Sequence, residues 1–235
     1  MPLRLSPIID PAPDAILAGD PRRAFALAQA VTVQPEMSHL ARGLWGYTGE
    51  TGDGRRLTVQ STGIGGPAAA TVVAGLAGLG VRRVVRLGTC VATGPMPATG
   101  KSAGTGEAFL VTQAVAGDGA SAAITGGAEA GPDPALTAAL GSVAPPGRVF
   151  SHDLPPHLAP GPYDADPAPL RDLQTAATFS IAAKFGISAA AILVVAETAA
   201  GERLTEPELE EVFVPLARSV TAALGGRTDG PQAKP

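Results

Sequence analysis

The sequence predicts an α/β fold in which helices cover both faces of a largely parallel or mixed sheet. Three observations carry this reading. Apolar runs of strand length alternate with helical patterns along the chain; Gly follows strand ends, accompanied by Arg or a hydroxyl; and residues 189–195 (AAAILVV) form a continuous apolar run suited to a strand buried on both faces. In such folds ligands gather at the carboxyl ends of strands, so the polar residues just beyond them are the candidates to weigh.

The elements follow in order. Residues 15–18, inside DAILAG, form a short apolar run closed by Gly19, and a helical pattern starts at Pro21 and runs through Phe25, Leu27, Ala28 and Val31. Residues 46–54 (GYTGETGDG) read as the end of a strand and a turn, and residues 56–60 (RLTVQ) alternate as a strand. STGIGGPAAATVVAGLAGLG then opens a small-residue helix, with Pro67 in the first turn where its missing donor costs nothing. Residues 81–87 (VRRVVRL) read as a β-branched strand terminated by Gly88. Beyond it, residues 94–106 are expected to be a loop, 108–115 an apolar segment, 122–125 a short strand, 134–140 a short helix and 145–169 a second loop. A helix is expected over 173–185, closed by Gly186. Thr205 and Glu208 form a capping box before a final helix with an apolar stripe of Leu209, Val212, Phe213, Leu216, Val220 and Leu224. Residues 1–224 read as one domain and 225–235 as a polar, frayed tail.

Composition narrows the function. The 235 residues carry 21 acidic and 17 Lys or Arg side chains, for a net charge of -4, and no Lys/Arg run of the kind nucleic-acid binding needs. One cysteine, Cys90, excludes a disulfide framework and a four-cysteine zinc site. Pro2, Pro7 and Asp10 interrupt the start where a signal peptide needs an apolar run, and no window has the character of a membrane span. The expectation is a soluble cytoplasmic protein.

Three strand ends could together form an anion cradle. In GDPRRA, Gly19 can present its amide to an anion and Arg23 can reach back over it. STGIGG is the second, and RLGTC the third, with Arg86 in an apolar strand end and Thr89 past Gly88. A buried arginine cannot shed its charge, so it demands an anion or acceptors. The alternative is that Arg23 faces water from a first helical turn and Arg86 pairs with an internal carboxylate. Asp172, Gln174 and Glu197 form a second group, where a partly buried carboxylate could act as a general acid or merely cap a strand. No Walker loop or dinucleotide fingerprint is present. His39, His152 and His157 have no ligand spacing, and adjacent Ser151, His152 and Asp153 cannot form a triad. Trp45 and Tyr47 read as core or interface aromatics.

These motifs, GDPRRA, ARGLWGYTG, STGIGGPAAA, VRRVVRLGTC and LQTAATFSIAAKFGISAAAILVVAE, resemble in order and spacing the nucleoside phosphorylases of the purine and uridine phosphorylase superfamily, over residues 14–224. The resemblance implies a three-layer sandwich around a central mixed β-sheet. It also implies attack of inorganic phosphate on a nucleoside to give a pentose 1-phosphate and free base, with phosphate as co-substrate and no cofactor or metal. Gly19, Arg23, Arg86 and Thr89 match its phosphate-binding positions, and Arg42 matches an arginine supplied by a partner subunit. The implied assembly is a homodimer that completes the sites, commonly three such dimers in a hexamer. Arg86 and Glu197 are the implied catalytic residues. Leu173 replaces a methionine under the sugar, and Gln174 a glutamate that holds the sugar hydroxyls. Glu197 replaces the aspartate that protonates the base.

Other positions depart further. Cys90, Val91, Pro155 and Glu197 fall at the base pocket, with Val91 in place of a glycine and Pro155 in place of a stacking aromatic. No arginine stands near Leu209 to partner the acid unless Arg203 substitutes. Arg4 or Ser6 stands in for an N-terminal histidine, and the pair that reads uracil is absent. The expected activity is therefore phosphorolysis of a purine-like or modified nucleoside, with a hydrolytic nucleosidase or a non-catalytic nucleoside or sugar-phosphate binding protein as alternatives.

Overall fold

The structure, a computed structural model, describes residues 5–126, 131–155, 158 and 168–226. Arg4, His157 and all of the expected tail beyond Gly226 lie outside these residues. The chain alternates as the sequence suggests. Strand β1 (Asp14–Ala18) leads into helix α1 (Pro21–Val31), followed by β2 (Val33–His39), a single 3₁₀ turn (Ala41–Gly43), β3 (Gly46–Glu50) and β4 (Arg56–Ser61). Helix α2 (Gly66–Gly78) precedes β5 (Arg83–Ala92), β6 (Ala108–Ala116), α3 (Gly119–Thr125), α4 (Pro134–Ala139), β7 (Pro146–Ser151) and β8 (Leu170–Asp172). Helix α5 (Thr175–Phe185), β9 (Ser188–Thr198) and α6 (Glu206–Gly225) complete it.

The nine strands among the described residues form one mixed sheet in the order β2-β3-β4-β1-β5-β8-β7-β6-β9, and β9 pairs back onto β5. Half of the sheet is thus an open wing, and the other half closes into a barrel-like ring. β1 runs parallel to β4 and β5, and β5 parallel to β9; β3 is antiparallel to β2 and β4, and β6 to β9.

Period-two alternation in the buried strands feeds two cores. Ile16, Val85 and Ile192 pack with Leu27 of α1 and Phe213 of α6, while Leu17, Val84 and Leu193 pack with Val73 of α2 and Phe179 of α5. Those two layers of helices enclosing the sheet make the three-layer arrangement. Tyr47 belongs to the first core and meets Phe25 with ring centroids 5.2 Å apart. No helix among the described residues is long and apolar enough to cross a membrane.

Several expectations are corrected. β5 does not stop at Gly88 but continues to Ala92, because its pairing with β9 extends through Gly88 to the strand end. Residues 122–125 belong to helix α3, which Asp118 initiates by accepting the Ser121 amide at 2.8 Å. The stretch 145–169 opens as strand β7, which its prolines concealed, and the structure adds β2, whose Pro35 and polar residues hid any alternation. Helix α5 begins at Thr175, two residues later than expected. Glu197 lies within β9, opposite Val91, and not beyond the strand. The capping box of α6 is present, with the Glu208 carboxylate accepting from the Thr205 amide at 2.7 Å.

Candidate active site

The topology brings the carboxyl ends of β1, β5 and β9 to one cavity of about 710 Å³. At the end of β1, Gly19 leads into Asp20, whose carboxylate accepts the Arg23 amide at 2.9 Å and starts α1. The next turn of chain carries Arg23 inward. Its side chain is only 7% exposed, its guanidinium lies 4.8 Å above the Phe213 ring, and Nη2 meets Glu206 Oε2 at 3.1 Å. The water-facing alternative for Arg23 is therefore excluded by its burial.

Arg86 stands on β5 with its side chain 5% exposed. Its guanidinium folds back over Gly88; a Cβ at that glycine would fall 2.5 Å from the guanidinium carbon. The sequence placed a strand stop at Gly88, but the residue instead provides space for this cation. Arg86 donates to Gln174 Oε1 at 2.7 Å, Asp172 Oδ2 at 3.1 Å and Thr175 Oγ1 at 3.3 Å. Asp172 also accepts from the Ser151 hydroxyl and from the Thr175 amide and hydroxyl. A buried ion pair with this full set of hydrogen bonds satisfies both charges. The two alternatives for Arg86 thus coexist: it pairs with an internal carboxylate and lines the cavity.

Gln174 is engaged at both ends of its amide. While Oε1 receives Arg86, Nε2 donates to the carbonyls of Gly63 at 2.6 Å and Gly65 at 3.3 Å. The opposite amide orientation would set donors against Arg86 and an oxygen against two carbonyls, so the network fixes the orientation shown. Gly63 and Gly65 adopt φ of +72° and +84°, left-handed values that let the intervening loop turn its carbonyls toward this amide. Its Nε2 could donate to a sugar hydroxyl only by releasing one of these carbonyls, whereas Oε1, with Arg86 at 2.7 Å and the Thr62 hydroxyl at 3.4 Å, keeps acceptor capacity.

Thr89, Cys90 and Val91 at the end of β5, with Pro155 and Leu173, also line the cavity. Burial, and secondarily the Asp172 carboxylate, push the Cys90 thiol far up, so it stays protonated and serves as apolar lining. Glu197 faces the same space and is held by Arg203, Nη2 to Oε2 at 2.8 Å, across a tight turn whose ends form a β-bridge. Arg203 thereby occupies the place at the carboxylate that the sequence left to it conditionally.

Arg42 does not line the cavity of its own chain. It sits exposed on the 3₁₀ turn with φ 61°, beside the glycine loop: Leu44 packs against Gly63, and Ser61 donates to the Gly43 carbonyl at 3.3 Å. The two described histidines, His39 and His152, make packing and backbone contacts away from the cavity lining. His39 Nδ1 lies 2.6 Å from the Leu44 carbonyl, and His152 stacks on Phe150 at 4.4 Å. Burial and the Arg171 guanidinium lower the His152 pKa to about 4. Sequence reasoning missed Arg171 and Glu206, which also line the cavity, and held Ile64 only as part of STGIGG. Glu206 carried a signal: an acidic residue in the first turn of a capped helix that the fold returns to the strand ends.

The sequence profile of the phosphorylase superfamily matches residues 13–203. The chain belongs to the phosphorylase superfamily. Among individual members of this superfamily, a DeoD-type purine nucleoside phosphorylase from Caldanaerobacter subterraneus subsp. tengcongensis is 27% identical over 226 residues, covering 89% of this chain and 93% of its own. A second DeoD-type purine nucleoside phosphorylase, from Oceanobacillus iheyensis, is 40% identical over 76 residues, 32% of each chain. A uridine phosphorylase from Haemophilus influenzae is 37% identical over 107 residues, 46% of this chain and 39% of its own. The likeness thus reaches both purine and uridine enzymes of the superfamily.

Proposed function

We propose that the protein is a nucleoside phosphorylase acting on a purine-like or modified nucleoside in the cytoplasm, without a cofactor. The observation that carries this reading is the convergence of two buried arginines, Arg23 and Arg86, on a cavity that also holds the Glu197 carboxylate. In it, Gly19, Arg23, Arg86 and Thr89 hold inorganic phosphate beneath the anomeric carbon. The pentose lies over Leu173 and within reach of Gln174, and the base lies among Cys90, Val91 and Pro155. A phosphate oxygen forms the bond to the anomeric carbon as the carbon–nitrogen bond breaks, and the electron pair leaves with the base. Glu197, oriented by Arg203, donates the proton or hydrogen bond that stabilises the departing nitrogen. The arginines act mainly by position and charge.

Arg42 is assigned to the site of a second copy. Leu40, next to the turn that carries Arg42, and Ile64, at the cavity, are exposed in the single chain, which supports a partner there. The assembly proposed is a homodimer that completes two sites, with three such dimers forming a hexamer. A hydrolytic reading has one observation in its favour: Arg23 and Arg86 each already face a carboxylate, Glu206 and Asp172.

Assays of purine and pyrimidine nucleosides with and without phosphate separate the readings. Phosphorolysis predicts turnover only with phosphate and recovery of a pentose 1-phosphate; phosphate-independent turnover identifies a nucleosidase, and binding without turnover a binding protein. For the proton donor, Glu197→Gln is expected to lower kcat about a hundredfold, and full turnover by this variant would remove Glu197 from that role.

A further inference from the structure

We propose that Glu206 is a specificity residue of the anion site, admitting tetrahedral oxyanions that still carry a proton, such as inorganic phosphate, and disfavouring fully ionised ones such as sulfate. The inference rests on the reading of Arg23 as an anion ligand and adds a selecting group to it. The matched superfamily segment ends at Arg203, so Glu206 lies beyond it.

Phe213 covers the Arg23 guanidinium at 4.8 Å, and the side chain is otherwise buried. An anion therefore approaches Arg23 from the cavity, which Glu206 lines and where its Oε2 already sits 3.1 Å from Arg23 Nη2. The Glu206 backbone is fixed in the first turn of α6 by the reciprocal Thr205–Glu208 cap. An oxyanion sharing the guanidinium with Glu206 brings one of its oxygens against the carboxylate. Two anionic oxygens repel there, whereas a hydroxyl on the ligand donates a charge-assisted hydrogen bond to the carboxylate. Phosphate and arsenate keep a proton at neutral pH; sulfate keeps none. The three other carboxylates lining the cavity are already engaged, Glu197 by Arg203 at 2.8 Å. Asp172 accepts from Arg86, Ser151 and Thr175, and Asp20 accepts the Arg23 amide. Glu206, with its side chain 70% exposed and one ionic partner, retains lone pairs for a ligand hydroxyl.

The test is calorimetric titration of the full chain with phosphate, arsenate and sulfate at one neutral pH and ionic strength, for the unaltered protein, Glu206→Gln and Glu206→Ala. The unaltered protein is expected to bind phosphate and arsenate and to bind sulfate much more weakly. In both variants the ratio of sulfate to phosphate dissociation constants is expected to fall on the order of tenfold or more, chiefly because sulfate binds more tightly. If the unaltered protein binds phosphate but the ratio is unchanged in both variants, Glu206 does not select and the proposal is overturned. If the unaltered protein binds none of the three anions, the anion-site reading itself fails and this inference with it.

Discussion

Gln174 and His152 show how far a residue's environment decides its use. Gln174 offers two donors to two carbonyls and an acceptor to Arg86. A glutamate in its place cannot donate to Gly63 and sets a charge against that carbonyl. Gln174→Glu is accordingly expected to release Arg86 from the glycine loop and raise the KM for phosphate about tenfold; an unchanged phosphate KM in steady-state kinetics would show that the brace is dispensable. His152 yields a prediction on stability. Its folded-state pKa, about 4, lies below the ordinary 6.5, so the unfolded chain takes up a proton that the folded chain refuses. Its neutral form is fully compatible with folding above 6.5, and stability declines as pH falls from 6.5 toward about 4. Denaturant titrations across that window should show a shallower decline in His152→Gln.

Strand β5 shows which features of an element can be read before the fold is known. The sequence located its apolar part and marked both Arg86 and Gly88. It misread the glycine, because a side chain folding back over its i+2 neighbour leaves no trace in periodicity. With β9 alongside, Gly88 becomes the space beneath a guanidinium. Gly88→Ala places a methyl group against Arg86 and is expected to cost about 1–3 kcal/mol in stability, read by chemical denaturation, together with weakened phosphate binding. Retention of both properties would mean that Arg86 repositions freely. Similar reasoning explains the other misreadings. The capping box and the AAAILVV strand were legible because their signals are local. Strands β2 and β7 were hidden by proline, and helix α3 by its shortness. The Arg23–Glu206 pair was not local at all, since it joins positions 183 residues apart.

For the whole molecule, the proposed site takes cations from two chains, and that arrangement has a direct signature. Arg42→Ala and Arg86→Ala should each be nearly inactive alone, because each removes one ligand from every site. Mixed after dissociation and reassembly, they should regain activity, since some sites then combine a normal Arg86 from one chain with a normal Arg42 from the other. No recovery in the mixed assembly would place Arg42 outside the shared site. Legibility at this scale was uneven. The strand ends could be listed from the sequence, but only the return of β9 onto β5 shows that Glu197 and Arg86 face the same space.

The open wing has its own consequence. It ends in β2, where Pro35 lacks an amide donor, the pairing with β3 is irregular at two places, and the Ser38 carbonyl already receives the Ile8 amide at 2.7 Å. Such a border is a poor template for backbone pairing with a neighbour. Backbone pairing of two copies along this border is therefore disfavoured, and crowding offers it little route into fibrils.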